Sequence, residues 1–299
     1  MGQKILITGG TGLVGSALIP MLKKQGHEIV VLSRKKSRNA DYEVFEWDYK
    51  KDYIEEGALE GVDSIIHLAG AGVADEKWTV ERKDEIYNSR TKTSILLFKT
   101  LEKGNHQVKS FIAASAIGIY GNDTGNSIVS ETSATGSGFL AHVTDAWETA
   151  TNKIKSLNIR LVQLRVGIVL SKKGGALVEL LKPPVAAPLG KGDQYMSWIH
   201  IGDLSRMFVE AVENSAMEGA FNAVAPSPET NKNLTRKAAK AFKKTFLPIP
   251  VPALVIKLML GEMSTIVLGG SRVSSAKIQR EGFEFKYPKL DKALDDLGA

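Results

Sequence analysis

The stretch Ile5-Leu-Ile-Thr-Gly-Gly-Thr-Gly-Leu-Val-Gly-Ser16 sets the reading of the whole chain. A short apolar run enters Gly9, Gly10, Gly12 and Gly15, then continues as a helical pattern from Leu13 to about Gln25. Glycines at these places allow a sharp turn, close approach of a ligand to the main chain and tight helix–strand packing. The first-turn N–H groups and the helix dipole then favour negative charge. Glycine-rich turns are common, but one placed between a strand and a helix is the dinucleotide-binding pattern. It puts a pyrophosphate on Gly9, Thr11, Gly12, Leu13 and Val14.

Residues 27–33 read as the next strand, which should end beside the adenosine ribose. An acid there would hydrogen-bond the ribose 2′-OH and favour NAD. The chain instead has Ser33-Arg34-Lys35-Lys36, with Arg38 just beyond. Arginine and lysine suit a 2′-phosphate. The expected cofactor is therefore NADP(H), with Arg34 on the 2′-phosphate, helped by Ser33 or Lys35. A solvated basic loop is the alternative.

The chain has 299 residues, 43% hydrophobic and 24% charged, enough for a large core and typical of globular proteins. Its net charge is +6, yet the Lys and Arg are scattered, with no nucleic-acid-binding motif. No nucleic-acid partner is expected. The absence of cysteine excludes disulfides, zinc–thiolate sites and cysteine nucleophiles. No His/Asp/Glu cluster has metal-ligand spacing, so no metal is expected. The N-terminus does not read as a signal peptide, and the expected compartment is the cytoplasm. Lys257, Gly261 and Glu262 interrupt the apolar stretch 251–268. That argues for an amphipathic helix pair rather than a membrane span. Composition sets no oligomeric state.

Strand and helix signals alternate through the first 170 residues, which predicts an α/β fold: a doubly wound, parallel-sheet Rossmann domain. Further strands are expected at 44–47, 63–68, 108–115, 160–170 and 220–224, and helices at about 80–103 and 139–157. The small residues Ala69-Gly70-Ala71-Gly72 suggest ligand approach at a strand's carboxyl end. Prolines and glycines between 183 and 192 suggest an excursion from the sheet, to which 198–203 returns. The expected domains are 1–170, rejoined by 198–225, and a small C-terminal substrate lobe built mainly from 171–299.

Several stretches resemble the extended short-chain dehydrogenases/reductases: Thr8-Gly-Gly-Thr-Gly-Leu-Val-Gly15, His67-Leu-Ala-Gly70, Tyr120-Gly121 and Trp198-Ile-His-Ile-Gly-Asp203. More narrowly, Lys77-Trp-Thr79, Ser89-Arg90, Ala114-Ser-Ala-Ile-Gly118, Trp147-Glu148, Gly174-Gly-Ala-Leu177, Met196-Ser-Trp-Ile-His200, Gly261-Glu-Met263 and Gly282-Phe-Glu-Phe285 resemble the YfcH/YfhF-like epimerase family proteins of the NAD-dependent epimerase/dehydratase superfamily. The resemblance spans nearly the whole chain and implies an NADP-binding Rossmann domain with a small C-terminal lobe. It departs from the wider superfamily at one decisive point. Those enzymes use a Tyr-x-x-x-Lys pair on one helix face, the lysine lowering the tyrosine pKa. This chain has no such pair; its expected positions fall near Leu140 and Thr144, and the family's serine falls at Ala116. Three readings stay open: an NADP(H)-dependent nucleotide-sugar epimerase or oxidoreductase using other groups, a non-catalytic NADPH-binding sensor or regulator, and, ranked last, a plain structural remnant.

The candidate catalytic groups are Ser115, at a strand's carboxyl end, and Tyr120, as a displaced proton donor. For Ser115 the alternative is satisfying the strand end; for Tyr120 it is packing. Arg165 lies inside the sheet, where an unpaired charge is costly, so an internal partner or a cofactor contact is required. Adenine is expected near Asp48 and the nicotinamide ribose near Leu68, Ala69, Gly70 and Ala71. The nicotinamide itself is expected near Ser115 and 165–168. His142 is expected toward solvent, His200 in a structural role, and Asp203 as a helix cap. The basic side chains of Lys77, Arg90 and Arg272 could meet an anionic group of a small-molecule substrate. A solvated surface charge is the plainer reading of each.

Overall fold

The computed structural model describes residues 2–36 and 41–298; Arg38 lies outside the described residues. An eight-stranded sheet forms the centre. Its strands are β1 (Lys4–Thr8), β2 (Glu28–Ser33), β3 (Glu43–Asp48), β4 (Tyr53–Ile54), β5 (Ser64–His67), β6 (Ser110–Ala116), β7 (Arg160–Val166) and β8 (Gly219–Ala223). In space they run β8-β7-β6-β5-β1-β2-β3-β4. All pairs are parallel except β3 with β4. This is the expected Rossmann-type α/β sheet. The strand order reverses at β1, between β2 and β5, and open α/β sheets bind ligands in the crevice at such a switch point.

Side chains alternate across the sheet, so each strand feeds two cores. Ile5, Ile7, Ile29 and Val31 pack on one face against Leu18 and Leu22 of helix α1 (Leu13–Lys24). Leu204 and Phe208, from the helix Ile201–Glu213, join the same core. Leu6, Val30, Leu32 and Phe111 pack on the other face against Leu96, Leu97 and Leu101 of α2 (Val80–Glu102). Helix α3 (Phe139–Asn152) lies beside α2. A third core gathers Leu177, Trp198, Leu234, Ala238, Leu290 and Leu294, mostly from the C-terminal part of the chain.

The structure corrects three expectations about elements. The stretch 160–170 is two strands, because the chain bends at Gly167. A Cβ there would lie 2.4 Å from the Ser197 carbonyl oxygen and 2.6 Å from Val224 Cγ1. Ile168–Leu170 therefore leaves the main sheet and pairs with Trp198–His200 in a separate two-stranded sheet. Residues 198–200 thus do not rejoin the central sheet, which Gly219–Ala223 closes at its edge. Finally, 251–268 is not a pair of amphipathic helices with a buried face. In Ala253–Leu260 only Ile256 is buried, while Leu254, Leu258 and Met259 are exposed. Among the described residues no helix is long and apolar enough to cross a membrane.

Candidate functional site

The switch point is built first by the turn after β1. Gly9 has φ +71°, and a Cβ there would press on the Leu68–Ala69 backbone at 3.0–3.1 Å. Gly15 sits so close to the turn that a Cβ would lie 2.6 Å from Gly10 Cα and from two carbonyl oxygens. A Cβ at Gly12, by contrast, would meet only the Gly9 oxygen, at 3.3 Å. Gly12 is the N-cap of α1, no side chain caps that helix, and its first turn carries no acid. The N–H groups of its first turn are left for an anion. A pyrophosphate fits this cradle, formed where Gly9, Thr11, Gly12, Leu13 and Val14 were expected to hold it.

On the β2 side, Ser33 ends its strand and Arg34 is exposed. Lys36 is tied to Glu55, whereas no carboxylate lies at ion-pair distance from Arg34 among the described residues. The Ser33 hydroxyl accepts from the Lys35 N–H at 3.4 Å. Asp48, at the end of β3, accepts from the Lys50 N–H at 2.9 Å and so begins a turn. The sequence placed the 2′-phosphate and the adenine among these residues, and the fold brings them to one edge of the crevice.

On the other side of the switch point a buried network fixes the end of β5. Thr8 Oγ1 accepts from the Leu68 and Ala69 N–H groups at 3.2 Å, so its own hydrogen goes to His67 Nδ1 at 2.7 Å. Ser94 and Thr93 donate to carbonyls of the preceding turn, and their oxygens therefore accept from His67 Nε2 at 3.2 and 3.3 Å. The imidazole is thus held neutral. Burial, aided by the Arg90 charge, lowers its pKa to about 3. Helix α2 then holds the following loop at both of Ala71's backbone groups. Ala71 N–H donates to Ser89 Oγ at 2.9 Å, and Arg90 donates to the Ala71 carbonyl at 3.0 Å. Leu68, Ala69, Gly70 and Ala71 are thereby held at the end of β5.

The candidate catalytic groups are tied elsewhere. Ser115 donates to Glu148 Oε1 at 2.6 Å, beneath α3. Arg165 grips the same carboxylate with Nε at 2.8 Å and Nη2 at 2.9 Å. Its Nη1 donates to Tyr120 Oη at 3.0 Å and to the Glu131 carbonyl at 3.3 Å. Burial works against the Arg165 charge, but Glu148 and Tyr120 outweigh it and hold its pKa above normal. Tyr120 is buried and donates to Asn222 Oδ1 at 2.6 Å; burial raises its pKa despite Arg165 and Asn222. Its hydroxyl is thus engaged by both Asn222 and Arg165. Arg165 has the internal partner its burial demanded, in Glu148. The sequence missed Glu148; its only mark was a carboxylate next to Trp147 on the α3 face turned to the sheet.

Leu140 and Thr144 stand on α3 against the turn after β6. A Cβ at Gly118 would lie 3.3 Å from Leu140 Cβ and 3.4 Å from Thr144 Oγ1, and that hydroxyl donates to the Leu140 carbonyl. His142 is exposed and stacks on Tyr87. His200, not Asp203, caps its helix: Nδ1 accepts from the Gly202 N–H at 3.0 Å. Asp203 is fully buried and accepts instead from the Lys286 and Tyr287 N–H groups, fastening the C-terminal segment. Lys77 is exposed. Arg272 stacks on Tyr195 and lines a pocket of about 160 Å³ with Ile128, Pro226, Ser274 and Gln279. Arg90 is no surface charge: it is half-buried over Trp147.

Comparison with known proteins now decides the lineage. The profile of the NAD dependent epimerase/dehydratase family matches residues 5–223. The chain belongs to that family. A second profile, a domain of unknown function (DUF1731), covers residues 251–297. An epimerase family protein of Staphylococcus aureus (strain NCTC 8325 / PS 47) is 35% identical over 99% of both chains. One of Staphylococcus epidermidis is 34% identical over the same shares. The human epimerase family protein SDR39U1 (isoform 2), crystallised with NADPH, is 28% identical with a TM-score of 0.88, covering 99% of each chain. A nucleoside-diphosphate sugar epimerase from Corynebacterium glutamicum is 30% identical with a TM-score of 0.79; the match covers all of this chain and 59% of that one.

Proposed function

We propose that the protein binds NADP(H) across the switch point. Arg34 carries this reading: it stands exposed, and without a carboxylate partner among the described residues, where an NAD-type acid would sit. The NADPH in the human relative's crystal structure supports it. The α1 turn would hold the diphosphate, Arg34 and Ser33 the 2′-phosphate, and Leu68, Ala69, Gly70 and Ala71 the nicotinamide ribose. When bound, the nicotinamide supplies hydride chemistry. The chain's own residues then orient it and shield it from water.

For the reaction we infer a small-molecule substrate entering from the C-terminal part of the chain. An anionic group, as in a nucleotide sugar, would match Arg272 in its pocket. A second reading, cofactor binding without turnover, draws on the internal network. Ser115, Glu148, Arg165 and Tyr120 satisfy one another, and Leu140 and Thr144 stand where the resemblance expects the tyrosine–lysine pair. The test is calorimetric titration of cofactor-stripped protein with NADPH and with NADH. Tight NADPH and weak NADH binding are expected; no binding of either would end the proposal.

A further inference from the structure

We propose that Arg90 makes this site selective for the reduced form of its nicotinamide cofactor. The inference rests on the NADP(H) reading above and concerns which redox state is held. Arg82 and Arg90 lie two turns apart on α2, and their surroundings differ sharply. Arg82 meets three carboxylates: Asp75 at 3.6 Å, Glu76 at 3.8 Å and Glu85 at 2.8 Å. Arg90 meets none among the described residues. Its Nη1 donates to the carbonyls of Ala71 at 3.0 Å and Ile86 at 2.9 Å. Its guanidinium carbon lies 5.2 Å from the centre of a Trp147 ring. A Cβ built on Gly70 would lie 3.1 Å from Arg90 Cζ and 3.3 Å from Nη2. Among the described residues Nε and Nη2 make no hydrogen bond, yet neither is sealed off as a buried orphan. The charge is therefore uncompensated and opens beside Gly70, at the end of β5.

That position decides what the charge can sense. With the diphosphate at the α1 turn and the adenosine at the end of β2, the remaining half of the dinucleotide crosses to the ends of β5 and β6. Its diphosphate, 2′-phosphate and adenine are the same in both redox states. Only the nicotinamide ring changes, from cationic when oxidised to neutral when reduced. A half-buried guanidinium without a counter-ion repels the cationic ring and leaves the neutral one alone. Burial, with the Arg82 charge adding to it, lowers the Arg90 pKa to about 10, which still leaves it cationic at neutral pH. A side chain at position 70 would press on the guanidinium at 3.1–3.3 Å, so Gly70 leaves room for it there.

The test is calorimetric titration of the wild type, Arg90→Met and Arg90→Lys with NADPH and NADP+, after circular dichroism has shown each to be folded. The wild type should bind NADPH about tenfold or more tightly than NADP+. For a two-electron couple, tenfold raises the potential of the bound cofactor by about 30 mV. Arg90→Met should bring the ratio toward one, chiefly by tightening NADP+ binding, and Arg90→Lys should keep most of it. A wild-type ratio near one would overturn the proposal, and so would a ratio unchanged in Arg90→Met with both affinities weakened alike. That second result would mean that Arg90 only pins the Ala71 loop. If Arg90→Met does not fold, Arg90→Gln takes its place, and the wild-type ratio still judges the claim. Binding of neither form would remove the NADP(H) reading itself, whereas equal binding of both leaves that reading intact and rejects only this one.

Discussion

His67 gives the network at the end of β5 a measurable pH signature. The imidazole is fully buried, and its pKa is held at about 3 by burial and the nearby Arg90 charge. In the unfolded chain it returns to about 6.5. Below that value the unfolded state takes up a proton that the native state refuses, so stability falls as pH falls. The contribution is complete above about pH 6.5 and is lost progressively toward pH 3. Between pH 7 and pH 5 the loss is about 2 kcal/mol, at 1.36 kcal/mol per unit. Geometry gives the same sign: a proton on Nδ1 would remove the acceptor of the Thr8 hydroxyl, which in turn positions the Leu68 and Ala69 N–H groups. Urea unfolding of the wild type and His67→Gln at the two pH values measures it. The wild type should lose about 2 kcal/mol more than the variant. Parallel losses, or a native His67 resonance titrating near pH 6.5, would refute the reasoning.

Two further perturbations probe the frame. Glu148→Gln strands the Arg165 guanidinium and should cost about 3–5 kcal/mol, while Glu148→Gln with Arg165→Met should cost less than the sum of the single changes; strictly additive chemical unfolding energies would contradict the pairing. Gly15→Ala drives a methyl group into the Gly9–Gly10 backbone, which has no flexible end to yield, and should cost about 1–3 kcal/mol while weakening NADPH binding; thermal unfolding and cofactor titration check it, and an unchanged melting temperature would rule it out.

The parts legible in the sequence are those where local chemistry and tertiary role coincide. The apolar run of β1, the glycines after it and the basic end of β2 each announce themselves within a dozen residues. The sheet followed from short apolar runs alternating with helical patterns, because its interior strands are buried on both faces. What stayed hidden depended on distant neighbours. Glu148 meets Arg165 only because α3 crosses β7, and nothing local marks a carboxylate as the partner of a strand arginine. Arg90 sits in an ordinary polar helix; only the fold turns it onto Trp147 and Gly70. The bend at Gly167 needed Ser197 and Val224 to reveal it, since glycine inside an apolar run reads as a continuous strand. His200 took the cap assigned to Asp203, because a buried carboxylate was drawn to the backbone of 286–287 instead.

The most direct test of the central claim is charge reversal at the end of β2. Titrated with NADPH and NADH, Arg34→Asp should lose most of its NADPH affinity, by about tenfold to a hundredfold, since one charge-assisted contact is replaced by repulsion of the 2′-phosphate. Its NADH affinity should change little or rise. Equal losses for both cofactors, or no loss for either, would contradict an NADP(H) site at this switch point.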